Sequence, residues 1–220
     1  EEEWTPLDLG SKLKCWLKAD AGITLSTTKV TAWADQSGNG NDFTQGTDGT
    51  RPVIATAVQN GLDAVQFVST DSLTCTAFFT GSAQAECFIV QRSTSSPGSA
   101  SGGHTFGSSS SDALYPYSDG NVYDSFGVTS RPNVHPGGAS AVLAWHVYSA
   151  RTTATNLVVR FDGVEEYNAA ATKGWAATFT IGRTPTTFAF LGYVGEVILT
   201  DALTSDERTL VDTYLERWGI

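Results

Sequence analysis

The 220-residue chain carries 13 Lys and Arg against 23 Asp and Glu, a net charge of −10. That balance repels phosphate backbones and anionic headgroups, so nucleic acid is not an expected partner, and membrane insertion is not expected because no apolar run reaches the roughly 20 residues that span a bilayer. The length suits one well-buried domain, taken as residues 1–220. No positively charged start with an apolar core marks a signal peptide, and because the chain has no Met it is expected to be a processed product or an excised part.

In chain order, the first predicted strand is Leu13-Lys14-Cys15-Trp16-Leu17. The stretch TAWADQSGNGNDFTQ, Thr31 to Gln45, follows as a loop dense in Asp, Asn and Gly. Asp35, Ser37, Asn39 and Gly40 match the first half of an EF-hand calcium loop, with alternating oxygen ligands and a glycine turn. The second half fails: Gly46 stands where a bidentate Glu should sit, and no helix pattern flanks the loop. The expected role is structural. Asp35 and Asn39 accept backbone N–H groups and tolerate left-handed φ, Gly38 and Gly40 allow a tight reversal, and Trp33 anchors the turn in the core. No cofactor is expected; the competing reading is Ca2+ bound in another geometry through Asp35, Asn39 and Asp42.

Strands are next predicted over Ala64-Val65-Gln66-Phe67-Val68 and Glu86-Cys87-Phe88-Ile89-Val90. Cys15, Cys75 and Cys87 are odd in number and lack CxxC or Cys/His spacing, which argues against zinc and against a disulfide framework. They read as small apolar strand residues, the alternative being a Cys75–Cys87 bridge across neighbouring strands. Ser93 to Ser111 is nearly all Ser and Gly and reads as a long mobile loop.

The segment DALYPYSDGNVYDSF, Asp112 to Phe126, alternates Tyr115, Tyr117 and Tyr123 with Asp119, Asn121 and Asp124 about an Asp119-Gly120 turn. A sugar has apolar C–H faces and polar edges, so its site needs flat rings beside hydrogen-bonding groups. This segment offers both, and Trp175 in ATKGWAAT adds a second loop-borne ring. The candidate carbohydrate-binding residues are therefore Tyr115, Tyr117, Asp119, Asn121, Tyr123 and Trp175; the competing reading places two or three of these rings in the core.

Later strands are expected at Val142 to Tyr148, Asn156 to Phe161, Thr178 to Ile181 and Tyr193 to Leu199, with Asp162-Gly163 as a two-residue hairpin turn. The chain closes in a helix. Thr204 and Glu207 form a capping box, Leu210, Val211, Tyr214, Leu215 and Trp218 make one apolar stripe that must lie on the sheet, and Gly219 ends it.

Five blocks carry a wider pattern: WTPLDLGSKLKCWLKADAGI at the start, VTAWADQSGNGNDF, RPVI followed by NGLDAVQF, AWHVYSA with VVRFDGVEE, and YVGEVILTDALTSDERTLVDTYLERWGI at the end. In this order the chain resembles, over almost its whole length, the concanavalin A-like lectin/glucanase superfamily, in the laminin-G-like jelly-roll branch found in phage virion and bacterial surface proteins. The resemblance implies an all-β fold, a two-sheet antiparallel jelly-roll sandwich with one C-terminal helix. The architecture is similar across lectins, glycan hydrolases, polysaccharide lyases and inert modules, so activity has to be argued from residues.

Retaining glucan hydrolysis needs two carboxylates roughly 5–5.5 Å apart, and the glucanases this chain resembles carry theirs on one strand as Glu-x-Asp-x-x-Glu. The nearest segment here, Glu196 to Asp201, has Ile198 at the central acid, so Glu196 is expected to be a strand-edge carboxylate. Gly98-Ser99-Ala100-Ser101-Gly102 has Ala100 at the nucleophile position of a serine hydrolase elbow. His104, His135 and His146 lack metal-ligand spacing and read as two solvated loop residues and one strand residue. No catalytic residue is expected. The expected function is a non-catalytic recognition module of a phage particle or bacterial surface, virion-borne or extracellular, whose partner is a cell-surface glycan. The alternative is a structural decoration or fibre subunit that works through contacts with other virion subunits.

Overall fold

The computed structural model describes residues 3–79, 81–95, 102–106, 113–138, 140–183 and 188–220. Its strands are β1 (Leu13–Lys18), β2 (Ile23–Ser26), β3 (Lys29–Trp33), β4 (Phe43–Thr44), β5 (Val53–Gln59), β6 (Leu62–Phe67), β7 (Leu73–Thr76), β8 (Ala85–Ser93), β9 (His104–Thr105), β10 (Val122–Tyr123), β11 (Asn133–His135), β12 (His146–Thr152), β13 (Asn156–Phe161), β14 (Val164–Ala170), β15 (Thr178–Ile181) and β16 (Gly192–Thr200). One α-helix, α1 (Ser205–Leu215), follows.

The fold is an antiparallel β-sandwich closed by that helix. Hydrogen bonding runs through β14-β13-β12-β8-β16-β6-β5-β3-β4-β7-β15-β9, so the two layers join along one edge. The corner is β5, which pairs along β6 with a register break between Ala55 and Gln59 and meets β3 only at Val53. Alternation sets the two cores. Cys87 and Ile89 of β8 point between the layers with Tyr148, Val159, Val197 and Leu199, against Trp33, Phe43 and Phe179 of the other layer. Phe88 and Val90 point outward with Trp16 and Ile198, under Val211, Leu215 and Trp218. Both faces of β8 and β16 are thus covered, which is why their burial is nearly continuous while the edge strand β14 is mostly exposed.

The helix is capped as expected: Glu207 N–H donates to Thr204 Oγ1 at 3.3 Å and Thr204 N–H to Glu207 Oε2 at 2.7 Å. The docked stripe is narrower than the sequence suggests. Val211, Leu215 and Trp218 are buried and Tyr214 half-buried, but Leu210 is 42% exposed, because it lies on the flank of α1 away from the sheet. Trp218 sits in a 3-10 turn, and Gly219 ends the chain's helical run at φ +69°. Gly195 is required beneath it, since a Cβ there would stand 2.1 Å from the Trp218 ring.

Three other expectations need correction. Glu196 is not at a strand edge: it is 1% exposed on a central strand, and its carboxylate accepts from Trp16 Nε1 at 2.7 Å and Trp218 Nε1 at 2.8 Å. Its face of the sheet is roofed by the helix rather than by water. The strand expected from Val142 begins only at His146, because Ala141–Leu143 forms a 3-10 turn that buries Val142 and turns Leu143 outward. Within the Ser/Gly-rich segment, Ser93 closes β8, and residues 102–106 run through β9 with Phe106 in the core; 96–101 and 107–112 lie outside the described residues, as does most of the Gly98–Gly102 stretch. The three cysteines are free, and Cys75 on β7 and Cys87 on β8 belong to strands that do not pair with each other, so no bridge joins them.

Candidate functional site

The segment after residue 112 turns back at Asp119-Gly120 by its own hydrogen bonds. Gly120 N–H donates to Tyr117 O at 3.0 Å, Tyr117 N–H to Asn121 O at 2.8 Å, and Gly120 adopts φ +84°, which a side chain would resist. Asp119 caps the turn, accepting from Asn121 N–H at 3.0 Å and from the Tyr123 hydroxyl at 2.6 Å. That shared proton lowers the Asp119 carboxyl and raises the Tyr123 phenol from their ordinary ranges. Asn121 Oδ1 accepts from Gly137 N–H at 2.9 Å, tying the turn to the end of β11.

The half-exposed rings of Tyr117 and Tyr123 meet edge to face with centroids 5.8 Å apart. Phe188 also packs edge to face against Tyr117 with centroids 5.7 Å apart, and the Arg131 guanidinium lies 5.8 Å from the Tyr123 centroid. Tyr117, Asp119, Asn121 and Tyr123 therefore form one surface, with ring faces, a carboxylate, an amide and a guanidinium side by side. Arg131 and Phe188 were not singled out from the sequence, because they are contributed by separate segments.

Two of the expected contacts lie elsewhere. Tyr115 is 2% exposed and stacks on Phe161 at 6.1 Å inside the sandwich, out of reach of a surface ligand; burial raises its phenol well above the usual range. Trp175 is half-buried and fills the end of the core between Phe79 at 5.1 Å and Phe126 at 5.3 Å, with its Nε1 donating to Ser82 O at 3.1 Å. Gly127 lies against this indole, where a Cβ would come within 2.5 Å. Asp124, which alternates with the tyrosines in sequence, is fully buried and accepts from the Tyr148 hydroxyl. Burial opposes its charge, but His104, with Nε2 3.4 Å away, and these hydrogen bonds outweigh it and lower its pKa. His104 is thus a core residue stacked on Phe106, not a loop residue in solvent, and His135 sits on β11 with Nδ1 3.3 Å from Glu166.

The Asp-, Asn- and Gly-rich loop within Thr31 to Gln45 is fastened to β1. Asp35 Oδ1 accepts from Trp16 N–H at 2.9 Å and Ser37 N–H at 2.8 Å, and Oδ2 from Ser37 Oγ at 2.7 Å and Asn41 N–H at 3.0 Å. Asp42 accepts from Asp35 N–H at 2.8 Å. Asn39 does the reverse of what was expected of its side chain, donating to Leu13 O at 2.9 Å rather than accepting. Trp33 is fully buried and donates to Lys18 O at 2.8 Å. These oxygens face N–H and O–H donors, an arrangement that does not fit a cation, and no group of three His, Cys, Asp or Glu side chains converges as metal ligands among the described residues.

No protein-family model matches the sequence, and no curated protein matches it. Solved structures share the fold. Domain 4 of AbnA, a GH43 extracellular arabinanase from Geobacillus stearothermophilus, in complex with arabinotriose, superposes with a TM-score of 0.66 at 14% identity, over 91% of this chain and 98% of that one. The sialidase of Trypanosoma rangeli gives 0.59 at 12% identity, over 91% of this chain but 32% of the sialidase. The receptor-binding domain of botulinum neurotoxin D gives 0.61 at 9% identity, over 96% of this chain and 54% of that one. The likeness is one of fold, and among the described residues no helix is long and apolar enough to cross a membrane.

Proposed function

We propose that the chain is a non-catalytic carbohydrate-binding module carried by a phage particle or a bacterial surface protein. The observation that carries this reading is the Tyr117–Tyr123 pair on the Asp119-Gly120 turn. Two ring faces stand beside Asp119, Asn121 and Arg131, the combination of apolar plane and hydrogen-bonding edge that a sugar requires. Two neighbours in fold add support: one is solved with arabinotriose, and another is botulinum neurotoxin type C, whose cell entry is described as dependent on interaction with two ganglioside molecules. A catalytic reading is disfavoured by the fate of Glu196, whose carboxylate is buried and occupied by two indole N–H donors.

The test is a glycan array and a cell-adsorption assay on wild type, Tyr117→Ala and Tyr123→Ala. Wild type should bind a host polysaccharide and both variants should lose that binding while remaining folded, because a lost stacking face is not replaced by the remaining polar contacts. Absence of glycan binding by wild type, with clear incorporation into particles, would favour a structural decoration subunit instead.

A further inference from the structure

On the outer face of the sandwich, between the first turns of α1 and strands β12 and β13, lies a groove of about 290 Å³ lined by Arg151, Arg160, Arg208, Glu165, Ser205, Thr209 and Asp212. Three guanidiniums meet here in a protein of net charge −10. Two are already paired. Arg208 grips the buried Glu86 through Nε at 2.8 Å and Nη2 at 3.0 Å, and Arg160 bonds Asp212 and the Gly163 carbonyl. Arg151 is different. Its side chain makes no hydrogen bond or ion pair among the described residues, and its Nε is buried without a partner. Glu165 is the acid left on the groove wall, and it accepts instead from Asn168 Nδ2 at 3.2 Å.

A buried guanidinium N–H without an acceptor is costly, and the fork of an arginine matches the two oxygens of an oxyanion. The neighbouring donors are fixed: Arg160 and Arg208 are held by their acids, and Ser205 and Thr209 line the first turns of a helix whose N-terminus favours negative charge. We propose that this groove is a binding site for the oxyanion of an acidic saccharide, a carboxylate or a sulfate ester, with Arg151 as the residue that recognises it. The inference rests on the proposed function only in taking the ligand to be a saccharide. Its residues come from β12, β13 and α1 and are separate from the tyrosine surface.

The experiment measures binding of four probes by titration calorimetry: a uronic-acid oligosaccharide, a sulfated oligosaccharide, a neutral oligosaccharide of equal length, and inorganic sulfate. One or both acidic oligosaccharides should bind, weakening with salt, and the neutral one should not compete. The stronger of the two identifies carboxylate or sulfate as the source. Arg151→Gln should weaken the binding by about tenfold or more, the loss of a charge-assisted hydrogen bond. Thr209→Glu, on the exposed wall that α1 contributes to the groove, should do the same by adding negative charge there, so the conclusion does not depend on one variant folding. Acidic-probe binding that is lost in Tyr117→Ala but kept in Arg151→Gln would place the ligand on the tyrosine surface and overturn the groove, which separates failure of the groove from failure of the tyrosine surface. Equal binding of acidic and neutral probes, binding of inorganic sulfate alone, or unchanged affinity in Arg151→Gln and Thr209→Glu would overturn the proposal and leave Arg151 with no part in recognition.

Discussion

Glu196→Gln keeps the side-chain volume and removes the ability to accept from two donors at once. In the protein one carboxylate oxygen takes the Trp16 indole N–H at 2.7 Å and the other takes that of Trp218 at 2.8 Å, with Arg217 Nη1 4.0 Å away. Glutamine offers one carbonyl oxygen, and its amide N–H group then faces the second indole donor to donor. One hydrogen bond is lost and one buried donor left without an acceptor, a cost of about 1–3 kcal/mol. A chain of 220 residues loses about 2–4 °C of Tm per kcal/mol, so the variant should melt roughly 2–12 °C lower. Thermal unfolding followed by near-UV circular dichroism reports on the same indoles. The mechanism has a stricter signature in a double-mutant cycle. Trp218→Phe removes the stranded donor, so Glu196→Gln should cost about 1 kcal/mol less in that background than in wild type. Equal costs in the two backgrounds, or an unchanged Tm in the single variant, would refute the clamp.

Three further outcomes are expected. His146 donates from Nδ1 to Asp162 at 2.6 Å and from Nε2 to Ala141 O at 2.8 Å, and the Asp162 bond raises its pKa above the ordinary value of about 6.5. The stabilisation is therefore complete below about pH 6.5 and lost as pH rises through the raised folded pKa, so the Tm difference between wild type and His146→Gln should shrink on going alkaline; a gap that widens would reverse the assignment. Chelator should leave the Tm unchanged while Asp35→Ala lowers stability by about 2–3 kcal/mol in denaturant unfolding, since that side chain accepts four hydrogen bonds; a Tm drop in chelator that calcium restores would speak for an ion. Tyr115→Ala should cost about 3–5 kcal/mol as a core truncation, whereas Tyr123→Ala should alter binding and leave the melting transition in place; the opposite ranking by calorimetry would mean the wrong tyrosine has been placed at the surface.

The elements that the sequence discloses are those decided locally. β13 and β15 span the residues expected of them, because each is a short β-rich run between turn residues, and Asp162 and Gly163 take the positive φ of +49° and +79° that their hairpin demands. The capping box of α1 is equally local. What escaped detection depends on partners far along the chain. Glu196 looks like a solvent-facing strand residue until Trp16, 180 positions away, and the terminal helix cover it. His104 sits in a Ser/Gly-rich stretch, yet β9 pairs with β15 and carries it into the core. Tyr115 and Tyr117 are two residues apart with the same side chain, and only the packing of Phe161 against the first decides which one is available. Arg151, Arg160 and Arg208 lie far apart in the sequence with no motif to join them, and only the docking of α1 beside β12 and β13 gathers them.

The two candidate surfaces differ in how they are coupled to the fold. The tyrosine turn is held by bonds among residues 117–123, one to Gly137 and the backbone pairing of Val122 and Tyr123 with Leu114 and β11, while the rings of Tyr117 and Tyr123 belong to neither core, so they can change without disturbing either. A binding specificity located there is free to vary at little cost in stability. The arginine groove is not free in this way. Arg208 is also the partner that makes Glu86 tolerable at 4% exposure, and Arg160 with Asp212 helps seat α1 on the sheet, so removing either would leave an uncompensated charge beneath the helix. Arg151 alone can be exchanged without breaking an ion pair. If both surfaces bind parts of one polymer, the turn can adapt to the sugar sequence while the groove keeps the requirement for an acidic group, and substitutions that alter glycan preference should accumulate in residues 117–123 before they reach β12, β13 or α1.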